Sequence, residues 1–217
     1  MLHMFSIQRA FRDGSPASLV RRVWEINQRK FPKGAIMLRC SDNHDQRRAV
    51  MEFGNNGAIA ASAINLTMDG IPFLYDSQEI GDPAPLSIYG MTFPIRWETG
   101  RAKTMTVDGV TFRRGSFSAQ DLPIYKKLIQ IRKSDPAFTR GDLEWISNSD
   151  EDRIVSYLRK NDGHVFLIVV NTTNRPWKGT VGFPVEQYRL TNLMTGAMVS
   201  DMSLGTYGYL IAKCERK

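Results

Sequence analysis

Ala35-Ile36-Met37-Leu38-Arg39-Cys40 runs directly into Ser41-Asp42-Asn43-His44-Asp45-Gln46, and further along Ile71-Pro72-Phe73-Leu74-Tyr75 runs into Asp76-Ser77-Gln78-Glu79. Each is a mostly apolar run of strand length closed by a polar cluster. A continuous apolar run, unlike an alternating one, is the pattern of a parallel strand covered on both faces. The polar residues then fall at its carboxyl end, where β/α folds keep their chemistry. Between the two runs, Ala58 to Met68 (AIAASAINLTM) is small and apolar, which predicts a tightly packed helix stopped at Asp69-Gly70. Strand, polar loop, helix, strand, polar loop is the grammar of a β/α unit.

Upstream, Ser15-Pro16-Ala17-Ser18 precedes Leu19, Val20, Val23, Trp24 and Ile26, a capped helix of three-and-four spacing that ends at Phe31-Pro32-Lys33-Gly34. Downstream, Gly81 to Phe117 has no strong period and reads as a long loop with a small hairpin around Val107-Asp108-Gly109-Val110. Ser118-Ala119-Gln120-Asp121 caps a helix from Leu122 to Lys133, which turns Leu122, Tyr125, Leu128 and Ile129 to a core and stops at Asp135-Pro136. Beyond Gly141 the text changes to short strands at Leu143–Ile146, Arg153–Arg159, His164–Val170, Gly179–Phe183, Tyr188–Asn192 and Tyr207–Ala212, with turns such as Asn161-Asp162-Gly163 between them. That spacing predicts an antiparallel β-sandwich. The expected organisation is therefore α/β plus all-β: a partial (β/α) barrel-like unit over 1–139, then a β-domain over 140–217.

Composition narrows the function classes. With 217 residues, 42% of them apolar, the chain can bury a sizeable core and is not of disordered type. No run approaches the roughly 18 apolar residues of a spanning helix, so no membrane partner is expected. The start, Met1-Leu2-His3-Met4-Phe5-Ser6-Ile7-Gln8-Arg9, lacks the cationic, apolar and small-residue regions of a signal peptide, which points to a cytoplasmic location. Cys40 and Cys214 belong to no zinc-type cluster, so buried free thiols are expected, with no metal and no cofactor. The net charge of +7 is spread over separated pairs such as Arg21-Arg22, Arg47-Arg48 and Arg113-Arg114, a solvated surface rather than a nucleic-acid footprint.

Asn43-His44-Asp45 at the end of a strand resembles the asparagine-histidine-aspartate motif near the end of the alpha-amylase family's catalytic barrel. Thr67 to Tyr75 followed by Gln78-Glu79-Ile80-Gly81 resembles that family's entry into the last barrel strand. Pro94-Ile95-Arg96-Trp97 and Leu128 to Ala137 resemble its following loop and final helix, and the β-rich tail resembles its C-terminal domain. The five landmarks stand in order from Lys33 to the end.

The resemblance implies a glycoside hydrolase of α-glucan metabolism that cleaves with retention and takes an α-glucan or maltooligosaccharide. Asp45 corresponds to the catalytic carboxylate that holds sugar hydroxyls and steadies the oxocarbenium-like centre, with His44 and Asn43 beside it as substrate-binding residues. No segment resembles the nucleophile or the acid/base, whereas a retaining reaction needs two carboxyls about 5 to 5.5 Å apart. Asp76 and Glu79 at the second strand end read first as loop anchors, with replacement carboxylates as their other reading. Asp69 stands where the family commonly has proline, and Asp76-Ser77 where it commonly has tyrosine-glycine. The resemblance thus covers the C-terminal part of such an enzyme, truncated relative to the family; the alternative is a noncatalytic carbohydrate-binding or assembly module. Two parallel strands cannot close a barrel, so a homo-oligomer that covers them is expected.

Asp42 reads as a backbone cap. His3 and His164 read as surface or strand residues, and Trp97 and Trp177 as either exposed sugar platforms or core.

Overall fold

The computed structural model describes residues 2–82, 104–107, 110–113 and 121–217. Helices α1 (Leu2–Arg12) and α2 (Ser18–Lys30) lead to strand β1 (Leu38–Arg39), helix α3 (Ala49–Thr67) and strand β2 (Ile71–Pro72). The anticipated hairpin is present as β3 (Thr104–Val107) and β4 (Val110–Arg113), and helices α4 (Asp121–Ser134) and α5 (Pro136–Thr139) follow. The sequence reading places no element over α1, although Met4, Ile7 and Phe11 recur at helical spacing and are all buried. The segments 94–97 and 118–120, read above as a family loop and a helix cap, lie outside the described residues.

Helix α3 is the centre of the α/β part. Ala58, Ala60, Ala61 and Ala63 let neighbours approach it on several sides, and its buried stretch extends to Thr67. β1 and β2 pair in parallel, Leu38 opposite Ile71 and Arg39 opposite Pro72. The turn from α3 into β2 requires glycine: Gly70 has φ +92°, and a Cβ there would lie 2.3 Å from the Met37 carbonyl oxygen.

Burial of these strands differs from expectation. They are two residues long rather than five or six, and Ile36, Leu38 and Ile71 are 69%, 53% and 54% exposed. A parallel strand is buried on both faces only when flanking strands and helices cover both. Among the described residues β1 and β2 have only each other, so the face carrying Arg39 is buried and the face carrying Leu38 is open.

After α5 come strands β5 (Asp142–Trp145), β6 (Ile154–Asn161), β7 (His164–Asn171), β8 (Trp177–Lys178), β9 (Tyr188–Asn192), β10 (Ser203–Leu204) and β11 (Tyr209–Arg216). Five form one antiparallel sheet in the order β5-β6-β7-β11-β9, and β8 pairs with β10 in a second, smaller layer. Asp162 (φ +48°) and Gly163 (φ +84°) make the tight two-residue link between β6 and β7. Side-chain alternation divides the sheet: Tyr157, Phe166, Ile168, Val170 and Ile211 join a core with α3, α4 and α5. Leu158, Leu167, Val169, Leu210 and Ala212 join a second core with Trp177 and Leu190. Trp177 is thus core, and both cysteines are buried free thiols. The strand expected at Gly179–Phe183 is reduced to a single bridge between Val181 and Asn148. Its backbone is diverted instead: the Gly179 N–H donates to Met202 O, and the Gly182 N–H to Ser147 O.

The carbonyl end of α3 joins the two layers. Arg132 of α4 donates to the Leu66, Met68 and Gly70 carbonyls at 2.9, 3.0 and 2.6 Å. The Tyr157 and Thr67 hydroxyls lie 2.6 Å apart, and Arg159 reaches the Ala137 and Gly141 carbonyls, both at 2.9 Å. A helix end that would otherwise bury unpaired carbonyls is satisfied by side chains from the elements that follow it.

Candidate functional site

The site begins with one buried carboxylate. Asp42, directly after β1, accepts from the Ala49 N–H at 3.0 Å, which caps α3, and from Arg48 Nε at 3.1 Å. Both side chains are buried. Burial pushes the Asp42 carboxyl above the ordinary carboxylate range, and the Arg48 charge and Ala49 N–H oppose it.

Arg48 carries the second half of the construction. Its Nη2 donates to the Asp76 carbonyl at 2.8 Å, its Nη1 reaches Ser77 Oγ at 3.4 Å, and its guanidinium lies 5.0 Å from the Tyr75 ring centre. One side chain therefore ties the loop after β1 to the loop after β2. Gln78 reinforces the tie: its amide donates to Ser41 Oγ and Ser62 Oγ, both at 3.0 Å, and its Oε1 accepts from the Tyr75 N–H. Ser62 in turn pairs with the Tyr125 hydroxyl at 3.0 Å.

Above this anchor, Asn43 Oδ1 accepts the Asp45 N–H at 2.9 Å, an Asx turn that projects the next two side chains outward. His44 Nε2 and Asp45 Oδ1 are 3.4 Å apart, with the two side chains 59% and 45% exposed. An imidazole and a carboxylate side by side in solvent can donate to and accept from neighbouring hydroxyls of one ligand.

The structure thus brings Asn43, His44 and Asp45 together on one loop, with Asp76 exposed on the adjoining loop. Glu79 is half-buried in the 3-10 turn Gln78–Ile80. Among the described residues, Gln78 and the Asp76 backbone make the anchoring bonds of this loop, and the Asp76 and Glu79 carboxylates do not. Asp42 is the cap that the sequence suggested. His3 is not at the surface: it is buried in α1, with Nε2 2.8 Å from Asn65 Oδ1, and burial together with Arg39 lowers its pKa to about 3. His164 is exposed and paired with Asp135 at 2.5 Å.

Arg48 and Tyr75 escaped sequence reading as site residues, because the Arg47-Arg48 pair reads as surface charge. The available signal was position, since Arg48 immediately precedes a helix whose start needs a carboxylate partner. Among the described residues no cluster of His, Cys, Asp and Glu could hold a metal ion, and no helix is long and apolar enough to cross a membrane.

No family model matches the chain. It is 28% identical to probable oligo-1,6-glucosidase 3 of Bacillus subtilis (strain 168), across 62% of this chain and 34% of that protein. It is 30% identical to alpha-amylase 3 of Dictyoglomus thermophilum, across 65% of this chain and 30% of that one. Its fold matches the crystal structure of AmyP in complex with maltose with a TM-score of 0.70 at 17% identity, covering 97% of this chain and 48% of AmyP. The chain is thus similar in sequence to enzymes described as an oligo-1,6-glucosidase and alpha-amylases, and it has the fold of the matching part of solved alpha-amylases. It spans about a third of the curated relatives' length and about half of the solved chain's. In that shared fold β1, α3 and β2 form a partial barrel, and the antiparallel layers form a β-domain.

Proposed function

We propose that the loop Asn43–Asp45 is the α-glucan-binding edge of a glycoside hydrolase site, with Asp45 holding sugar hydroxyls and steadying positive charge at the sugar carbon and His44 donating a hydrogen bond. The observation that carries this reading is the half-exposed His44–Asp45 pair standing on a buried Asp42–Arg48 anchor at the carboxyl ends of paired parallel strands. An exposed polar pair held by buried polar groups is organised for a ligand rather than for the core. A relative described as an oligo-1,6-glucosidase and a fold neighbour solved with maltose support an α-glucan as that ligand.

Asp45 supplies neither a nucleophile nor a proton donor, so hydrolysis by this site requires two further carboxyls. Asp76, exposed on the adjoining strand-end loop, and Glu79 in the turn after it are the candidates, and a partner chain is the other source. Titration of maltoheptaose into the protein tests the binding reading: measurable affinity is expected, and its absence contradicts it. Turnover of a chromogenic maltoside by the pure protein, lost in Asp45→Asn, separates a hydrolase from a noncatalytic carbohydrate-binding or assembly module.

The assembly reading has its own support in Ile36, Leu38 and Ile71, three large apolar side chains left open along one strand pair. A second copy covering them would form a homo-oligomer. Light scattering that shows only monomer at high concentration would contradict this.

A further inference from the structure

We propose that Tyr75 is a second sugar contact of the same site, its hydroxyl donating a hydrogen bond to the α-glucan that Asp45 holds; this rests on the reading that the site binds an α-glucan. Tyr75 ends the apolar run after β2, at the carboxyl side of the strand pair, as the Asn43–Asp45 loop does for β1. Its backbone is held on both sides by Gln78, whose Oε1 accepts the Tyr75 N–H at 3.0 Å and whose N–H donates to the Tyr75 carbonyl at 2.9 Å. Its ring is held too: the Arg48 guanidinium lies 5.0 Å from the ring centre, and the Phe73 ring stacks alongside at 6.1 Å and 21°. A ring fixed in this way presents its hydroxyl with little conformational freedom left to lose on binding.

That hydroxyl has no hydrogen-bond partner among the described residues, although the ring is only half-buried. The fully buried tyrosines behave otherwise: the Tyr125 hydroxyl pairs with Ser62 and the Tyr157 hydroxyl with Thr67. The phenol is nevertheless in a charged setting. Burial raises its pKa, Arg48 opposes this, and the carboxylates of Asp76, Asp42 and Asp45 raise it further. All three carboxylates therefore lie within electrostatic reach of one phenol, which stays protonated. Tyr75 and Asp45 follow the two paired strands at the same end, on loops tied together by Arg48 and Gln78, and so offer a phenol donor and a carboxylate acceptor to one ligand. Two adjacent hydroxyls of one sugar satisfy that set, one donating to Asp45 and one accepting from Tyr75.

Tyr75→Phe keeps the ring under Arg48 and removes only the hydroxyl. Calorimetric titration of maltoheptaose should show about 3- to 10-fold weaker affinity than wild type, the range of one neutral hydrogen bond, with an unchanged melting temperature. Tyr75→Ala should bind more weakly still and melt lower, because Arg48 loses its ring. If Asp45→Asn weakens binding while Tyr75→Phe binds like wild type, the Tyr75 contact is overturned and the Asp45 reading stands. If Tyr75→Phe weakens binding while Asp45→Asn does not, Tyr75 is a contact and the Asp45 reading is overturned. Wild type that fails to bind maltoheptaose overturns both.

Discussion

Two apolar runs of similar length meet opposite fates in this molecule. Val165 to Val170 lies within β7 in the middle of a five-stranded sheet, with Phe166 to Val170 buried against helices on one face and a second β-layer on the other. Ala35 to Cys40 contributes two residues to a two-stranded pair and leaves Ile36 and Leu38 in solvent. The difference is cover, not hydrophobicity. The strand-end loops sit on the poorly covered region, so their positions depend on buried polar groups, while the β-domain depends on packed apolar side chains.

Removing the polar anchor should sharpen that contrast most. Arg48→Met leaves the Asp42 carboxylate buried without its partner, an expected loss of about 3 to 5 kcal/mol. For a chain of this size that is a fall of roughly 6 to 20 °C in melting temperature. Phe166→Ala on the sheet should cost a similar amount, about 3 to 5 kcal/mol, through a cavity alone. If Arg48→Met melts with wild type, the strand-end loops are not held by this network and the comparison fails.

The next largest effect is on pH dependence and belongs to the α/β part. His3 has a folded pKa of about 3 and an ordinary one of 6.5 when unfolded, so the unfolded chain takes up the proton first. Stability supported by neutral His3 is fully present above about pH 6.5 and is lost as pH falls toward 3, at up to about 1.4 kcal/mol per unit. At pH 5 the loss is about 2 kcal/mol. Denaturant titrations of wild type and His3→Gln between pH 7 and 4 should converge as pH falls, and parallel curves would contradict the assignment.

A smaller effect should come from dividing the chain. We propose the domain boundary at 139/140. The fragment 141–217 retains locally paired antiparallel strands, yet exposes the Tyr157, Phe166 and Ile168 face that α3 to α5 cover in the whole chain. It should keep β-type circular dichroism while binding a hydrophobic dye more strongly than the intact protein. A disordered NMR spectrum would show that the sheet needs the helices to form.

Much of this fold was legible because local pattern and tertiary role agree. Asn161-Asp162-Gly163 between alternating strands is a turn for the same backbone reason in any context, and Leu122 to Lys133 shows its inward stripe directly. The errors fall where cover decides. Ala35–Cys40 has the composition of a doubly buried strand, but composition does not say whether anything lies over it. Gly179–Phe183 has strand residues, but two glycines and Pro184 let its backbone turn aside. At the site, Asn43, His44 and Asp45 were readable because their motif is contiguous. Arg48 was not, because its partners Asp42, Tyr75, Asp76 and Ser77 meet it only after the two strands pair. His3 was missed for a related reason: its burial depends on Asn65, which is remote in sequence.

On the proposed function, an exposed carboxylate on a rigid polar anchor binds an α-glucan. The most direct test titrates maltoheptaose into wild type and Asp45→Asn by calorimetry, with a melting curve for each. Losing one charge-assisted hydrogen bond should weaken binding by about 1.5 to 3 kcal/mol, or roughly 10- to 150-fold. The melting temperatures should agree closely, because the Asp45 side chain is half-exposed and its turn is made by its backbone N–H. Equal affinities for the two proteins, or no binding by either, would contradict the claim.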